Sequence, residues 1–130
     1  MSDRTEIRTA NAPDPVGPYS QAVRSGPWIF ASGQIPLDPA TGQLVAGEIE
    51  DQTRRVLENL SAVLFAGGAS LGDVVRTTVY VTDLSLFPRM NAVYADFFTA
   101  DPAPARATVE VSALPLGAQV EIDAIAVVPD

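Results

Sequence analysis

Residues 48–82 read EIEDQTRRVLENLSAVLFAGGASLGDVVRTTVYVT, and one change of hydrophobic period inside this run sets the architecture. In its first half Ile49, Val56, Leu57, Leu60, Val63 and Leu64 recur at three- and four-residue spacing, while Asp51, Arg54, Arg55 and Glu58 fall largely on the other face. That pattern predicts an amphipathic helix over 48–67, closed by Gly67-Gly68. From Val74 onward the residues are mostly β-branched or aromatic, with Val75, Thr77, Val79 and Val81 on one side, which predicts a strand over 74–82. Because Gly67-Gly68 follows a helix, whereas a dinucleotide-binding fingerprint follows a strand, the pair reads as a cap and not as a phosphate loop.

Upstream, residues 19–33 predict a hairpin: Ala22-Val23, a Ser25-Gly26-Pro27 turn, and a second strand from Trp28 to Gly33 that is largely buried. Residues 36–47 read as a loop. The first 18 residues place Asn11, Pro13, Pro15, Gly17 and Pro18 among charges, so residues 1–10 are expected to be a loosely ordered tail leading into an ordered loop. Downstream, a second helix starts at an Asp83 or Ser85 N-cap with Pro88 in its first turn. Its apolar stripe is Leu86, Met90, Val93, Tyr94 and Phe97, and Asp101-Pro102-Ala103-Pro104 stops it. Strands follow over 106–111 and 119–128. In the last one Val120, Ile122, Ala124, Ala126 and Val128 fill one face, while on the other Gln119, Glu121 and Asp123 give way to Ile125 and Val127. The order β-β-α-β-α-β-β predicts a single α+β domain over residues 1–130, one sheet with both helices on one face. The opposite, partly apolar face calls for a partner subunit.

The 130 residues contain no Cys and no His, and all eight basic residues are Arg. Thiolate nucleophiles, Ser-His and Cys-His dyads, disulfides, the usual zinc and haem sites, Schiff-base lysines and P-loops are thereby excluded. Any catalysis rests on Arg, Asp, Glu, Tyr, Ser, Thr, backbone groups and water, with no metal and no cofactor expected. A net charge of −8 and a pI near 4.3 argue against a nucleic-acid or anionic-membrane footprint. The polar start of the chain has no apolar segment behind it, and no apolar run approaches the roughly 18 residues of a membrane span, so a cytoplasmic protein is expected.

Five residues stand out chemically. Arg106 opens a strand among small and apolar side chains, where its guanidinium could hold a carboxylate bidentately; the alternative is an intramolecular ion pair to one of sixteen acids. Glu121 sits in a mostly hydrophobic run, where a raised pKa would suit it to orienting or deprotonating a water; the alternative is a solvated position beside Asp123. Tyr19 offers a hydroxyl on a loop held by Gly17 and Pro18, or is a packed aromatic at the head of a strand. Asn91 could reach a ligand or bond a nearby loop. Thr108 could donate a hydroxyl or merely satisfy β propensity.

The segment PARATVEVSALP, residues 104–115, closely resembles the carboxy-terminal signature of the Rid (YjgF) family of enamine/imine deaminases. The resemblance runs through the chain in order. Ala12-Pro13, Gly17-Pro18-Tyr19-Ser20-Gln21, Ser32-Gly33-Gln34-Ile35-Pro36, Asn59-Leu60 with Ala66-Gly67-Gly68, residues 77–84, 91–98 and 120–127 each match a family motif. Several gapped motifs in the right order are far more specific than any one of them.

The resemblance implies a chorismate-mutase-like α+β fold and a homotrimer whose sheets form a central β-barrel, with ligand clefts between subunits. It also implies hydrolysis of 2-imino acids, such as 2-iminobutanoate and 2-iminopropanoate left by serine and threonine dehydratases, to 2-keto acids and ammonia. On this basis Arg106 clamps the substrate carboxylate and Glu121 positions the attacking water. Tyr19, the backbone of Gly33, Asn91, Ala107 and Thr108 shape the pocket. Two features depart from the family: Thr108 stands where close relatives often carry Cys, and residues 99–104 form a shorter loop without an aromatic before Pro104. Other readings are a non-catalytic trimer that senses 2-keto acids or other small carboxylates, and the chaperone or ribonuclease behaviour attributed to some relatives.

Overall fold

The computed structural model describes residues 3–130. Six strands form one mixed sheet: β1 (Arg4–Ile7), β2 (Ala22–Ser25), β3 (Trp28–Gln34), β4 (Val74–Val81), β5 (Ala105–Glu110) and β6 (Val120–Val127), in the order β1-β2-β3-β6-β4-β5. The β4–β5 pair is parallel and every other pairing is antiparallel. Two helices, α1 (Ile49–Ala66) and α2 (Phe87–Phe97), pack on each other, and α1 lies on β3 and β6.

The predicted period change is realised almost residue for residue. Val56, Leu57, Leu60, Val63 and Leu64 of α1 are completely buried against Ile29, Val79, Val81, Val120 and Ile122, and each such side chain contributes about 1.5–3 kcal/mol of burial free energy. At the start of α1 the Glu48 N–H donates to Asp51 Oδ2, filling a donor the helix leaves open. Its end is closed as expected, with Gly68 at φ +91°. Gly67 is fixed by close approach, since a Cβ there would lie 2.6 Å from Ile7 Cδ1 and 2.8 Å from Ile29 Cδ1. The second helix begins one turn later than expected. Asp83 accepts from the Ser85 N–H at the head of a 3-10 turn, Leu84–Leu86, and α2 follows with Pro88 in its first turn.

Three expectations are corrected. Met1 and Ser2 lie outside the described residues, but Arg4–Ile7, expected as loose tail, pairs antiparallel with β2 and buries Ile7. The strand is an edge held by backbone bonds and a single apolar anchor, too little periodicity to read. The hairpin's second strand, expected to be largely buried, alternates: Ile29 and Ala31 face the core, but Trp28 and Phe30 are nearly half exposed on the opposite face. In β4 a register shift between Val74 and Arg76 hands the core position expected of Val75 to Val74 and leaves Val75 exposed.

The face of the sheet away from the helices carries Trp28 and Phe30 beside Val127 and Ile125, with Val109 exposed on β5. Its hydrophilic stretch is Thr78 and Tyr80 of β4 opposite Asp123 and Glu121 of β6.

Candidate functional site

The strand register divides the expected site between the two faces of the sheet. Arg106 pairs with Thr77, and Thr77 with Ala124, which is buried toward the helices. Side chains alternate along a strand, so Arg106 stands on the helix side and Glu121, three residues from Ala124, on the other. Within one chain they cannot meet on one substrate.

On the helix side, Arg106 Nη1 donates to Asn91 Oδ1 at 2.7 Å. Its guanidinium carbon sits 4.6 Å from the Tyr94 ring centroid and 5.3 Å from that of Phe87. Tyr94 is itself pinned by a buried 2.7 Å hydrogen bond to Thr77 Oγ1 and by Phe98, whose ring lies 4.4 Å away. Among the described residues no carboxylate lies within ion-pair distance of Arg106, whereas Arg8, Arg55 and Arg89 all have acidic partners. The intramolecular ion pair is therefore not what holds this arginine. It is a guanidinium oriented by one amide and two rings, with donors left over for a planar anion. A cavity of about 440 Å³ opens here, bordered by Asn91, Tyr94, Phe98 and Arg106 and also by Ala103 and Pro104 of the loop before β5.

On the other side, a cavity of about 650 Å³ brings together Tyr19, Ser32, Gly33 and Glu121. Tyr19 is half exposed on a turn closed by its own N–H to the Gly17 carbonyl, so it is not a packed strand aromatic. The Ser32 hydroxyl donates to the Ser20 carbonyl and ties this loop to β3. Between Ala31 and Gln34 the pairing of β3 with β6 slips, setting Ser32 and Gly33 in a bulge, a device that re-aims backbone beside sites. Glu121 is half buried, and burial first, then the neighbouring Asp123 charge, holds its carboxyl above the usual carboxylate range. The freely solvated alternative does not describe it. Tyr80 donates to Asp123 Oδ2 at 3.2 Å, and burial and that carboxylate push the phenol up, so it stays protonated.

Ala107 borders neither cavity; its backbone pairs with Thr78 in the β4–β5 ladder. Thr108, opposite Val79, shares the face of Arg106, and its Oγ1 is buried without a hydrogen-bond partner among the described residues. A buried hydroxyl without a protein partner has hydrogen-bonding capacity to spare for a water or a ligand.

In the sequence Tyr94 reads as a plain stripe residue, although Asn91, Tyr94 and Phe98 recur at helical spacing and mark one polar-tipped aromatic face. Leu116 does not stand out in the sequence at all. This residue borders the larger cavity at φ 60°, ψ 19°, a left-handed conformation costing roughly 1–2 kcal/mol outside glycine. No residue-type signal announces it. Among the described residues no group of acidic side chains is arranged to hold a metal ion, and no helix is long and apolar enough to cross a membrane.

Residues 9–128 match the family described as Endoribonuclease L-PSP. A RutC family protein of Pyrococcus horikoshii is 55% identical over 120 residues, covering 92% of this chain and 94% of its own. The chloroplastic Reactive Intermediate Deaminase A of Arabidopsis thaliana is 46% identical over 120 residues, 92% of this chain and 64% of its own. Among solved structures, a Yersinia pestis protein of the conserved Rid protein family superposes with a TM-score of 0.93 at 50% identity, over 96% of this chain and 99% of its own.

Proposed function

The chain belongs to the Rid (YjgF) family, and on that premise we propose that it hydrolyses 2-imino acids, among them 2-iminopropanoate and 2-iminobutanoate, to 2-keto acids and ammonia. The observation that carries this reading is Arg106, a guanidinium without a carboxylate partner, held over two rings and aimed by Asn91. A related protein bearing the name Reactive Intermediate Deaminase A supports the same activity.

Arg106 and Glu121 occupy opposite sheet faces, so the complete site is assembled from two copies, one supplying Arg106, Asn91 and Thr108 and the other Tyr19, Gly33 and Glu121. The exposed Trp28, Phe30 and Val109 on the outer face supply apolar surface for a homotrimer built around its sheets.

In the assembled site the guanidinium takes the substrate carboxylate and fixes the imine carbon near Glu121. Glu121 accepts a proton from water as the water oxygen bonds to that carbon. With the imine nitrogen already protonated, this attack moves the C=N electron pair onto nitrogen and gives a neutral carbinolamine; Glu121 then hands its proton to that nitrogen, and as the hydroxyl loses its own proton to water the carbonyl forms and the C–N bond breaks, releasing ammonia. An imine carbon is already electrophilic, so positioning and one oriented water supply the acceleration. No step calls on Cys, His or Lys, none of which the chain contains.

The test couples the protein to a serine or threonine dehydratase and follows keto acid release, wild type against Arg106→Ala. Loss of acceleration with the assembly intact is expected; unchanged deamination in the variant would sink the reading. A carboxylate-sensing trimer would instead bind 2-keto acids through Arg106 with no turnover in the wild type. A net charge of −8 without a single Lys weighs against an RNA substrate.

A further inference from the structure

We propose that Gln21 is a positioning residue of this site: its side-chain amide clasps residues 9–13 and so sets the loop that brings Tyr19 to the cavity of Glu121. The inference rests on the deaminase reading above.

The β1–β2 ladder ends with Ile7 opposite Ala22. Gln21 precedes Ala22, and from there its side chain takes over what the ladder did. Its Oε1 accepts from the Thr9 N–H at 2.8 Å, while Nε2 donates to the carbonyls of Thr9 at 3.0 Å, Pro13 at 2.9 Å and Ala12 at 3.3 Å. Holding the N–H and the C=O of one residue, as a neighbouring strand would, and reaching further carbonyls as well takes an acceptor and two donors on one side chain. Glu lacks the donors, Lys and Arg lack the acceptor, and Asn is a methylene shorter.

The main chain on this side belongs to the site itself. The Gln21 carbonyl accepts from the Ser32 N–H at 2.9 Å, and the Ser32 hydroxyl donates to the Ser20 carbonyl at 2.6 Å. Gln21 is thus joined by its backbone to the bulge on which Glu121 packs and by its side chain to the segment that leads into the Tyr19 loop. That loop runs from Pro13, held by Nε2, to Tyr19, whose N–H closes on the Gly17 carbonyl. Between its ends Asp14 meets Arg8 at 3.8 Å, an ion pair of the kind that contributes little. Gln21 is 2% exposed, and a buried amide is costly to leave unpaired, so the segment stays where the amide's partners must be. Every one of these bonds lies within one chain, and none depends on the second copy that supplies Arg106.

The experiment follows keto acid release from 2-iminopropanoate for the wild type, Gln21→Met, Tyr19→Phe and the double variant, with Gln21→Glu carried through the same cycle. Methionine keeps the volume and removes the side-chain hydrogen bonds, whereas glutamate keeps the bond from the Thr9 N–H and loses the donors. Thr9 and Pro13 are only partly buried, so water can reach the carbonyls set free and both variants are expected to fold, with thermal unfolding and light scattering as checks. In each, kcat/KM should fall about tenfold or more, as a misplaced group brings. With Tyr19→Phe already present the further fall should be under about threefold, because residues acting through one another are not additive. A fall under about threefold on its own, or an equal fall in both backgrounds, overturns the proposal and leaves the deaminase reading standing. The clasp is also read in the wild type, where the Thr9 amide should exchange with deuterium at least about tenfold more slowly than an unstructured amide. Exchange at the unstructured rate overturns the proposal whether or not the variants fold. No turnover by the wild type overturns the deaminase reading and the role of Gln21 in it together.

Discussion

Gly33 and Glu121 are in contact across the β3–β6 ladder so closely that a Cβ added at residue 33 would overlap Glu121 Oε2 and lie 2.8 Å from its Cδ and 3.0 Å from its Cγ. The bulge that carries Ser32 and Gly33 thus serves as the seat of the carboxylate. Gly33 is needed here for its missing side chain. It lets the Glu121 side chain lie directly against β3, facing the same cavity as Tyr19.

Gly33→Ala should therefore damage catalysis more than folding. The methyl displaces only the far end of a flexible side chain, so the unfolding midpoint should move little, while a carboxylate misplaced by about 1 Å lowers kcat on the order of a hundredfold. Circular dichroism melts beside steady-state kinetics would decide it. Activity retained within about threefold would show that Gly33 does not set the position of Glu121.

Tyr94 supports Arg106 in two separable ways, by its ring beneath the guanidinium and by its hydroxyl on Thr77. Tyr94→Phe keeps the ring and strands Thr77 Oγ1 in the core, so stability should fall by about 1–3 kcal/mol with KM nearly unchanged. Tyr94→Leu removes the ring, a contact worth about 0.5–2 kcal/mol, and should raise KM several-fold. Denaturant titration and a KM-against-kcat comparison separate the two, and equal KM for both variants would contradict the positioning role.

Why some of this could be read from residues and some could not has a physical basis. The α1 stripe, the alternation of β4 from Thr77 to Val81 and the helix cap at Gly67-Gly68 are local and periodic, so sequence carries them; the exchange of Val75 for Val74 in the core depends on the irregular pairing with β6 and leaves no periodic trace. Trp28-Ile29-Phe30-Ala31 is apolar at every position, which hides that only Ile29 and Ala31 face the core. Arg106, Glu121, Tyr19, Asn91 and Thr108 could be picked as unusual residues in their surroundings. That Arg106 and Glu121 face opposite ways depends on the registers β4–β5 and β4–β6, which no single strand encodes. The left-handed Leu116 is set by its turn and leaves no compositional trace.

On the proposed mechanism the raised carboxyl of Glu121 should give the reaction an acid limb. The water-orienting form is the ionised one, so kcat/KM should fall as pH drops through a value above the usual carboxylate range. Asp123→Asn removes the like charge and keeps an acceptor for the Tyr80 hydroxyl. Burial, the larger cause, stays, so the limb should move toward lower pH but not reach the unperturbed position. A pH–rate profile of this variant that coincides with the wild type, or moves upward, would show that Asp123 does not raise the group that sets the acid limb.

Because Arg106 and Glu121 cannot share a substrate within one chain, two inactive variants should repair each other. Arg106→Ala retains the Glu121 half of the site, and Glu121→Gln retains the Arg106 half. Each alone should be inactive in every position of its assembly. Denatured together in equal amounts and refolded, they form mixed assemblies in which about one site in four joins an intact half to an intact half, given random exchange in a closed ring. Activity recovering to about a quarter of wild type, with light scattering showing the same oligomer throughout, is the expected result. Mixtures that stay as inactive as either parent, despite proven subunit exchange, would place both residues on the same subunit's site and contradict the opposite-face geometry.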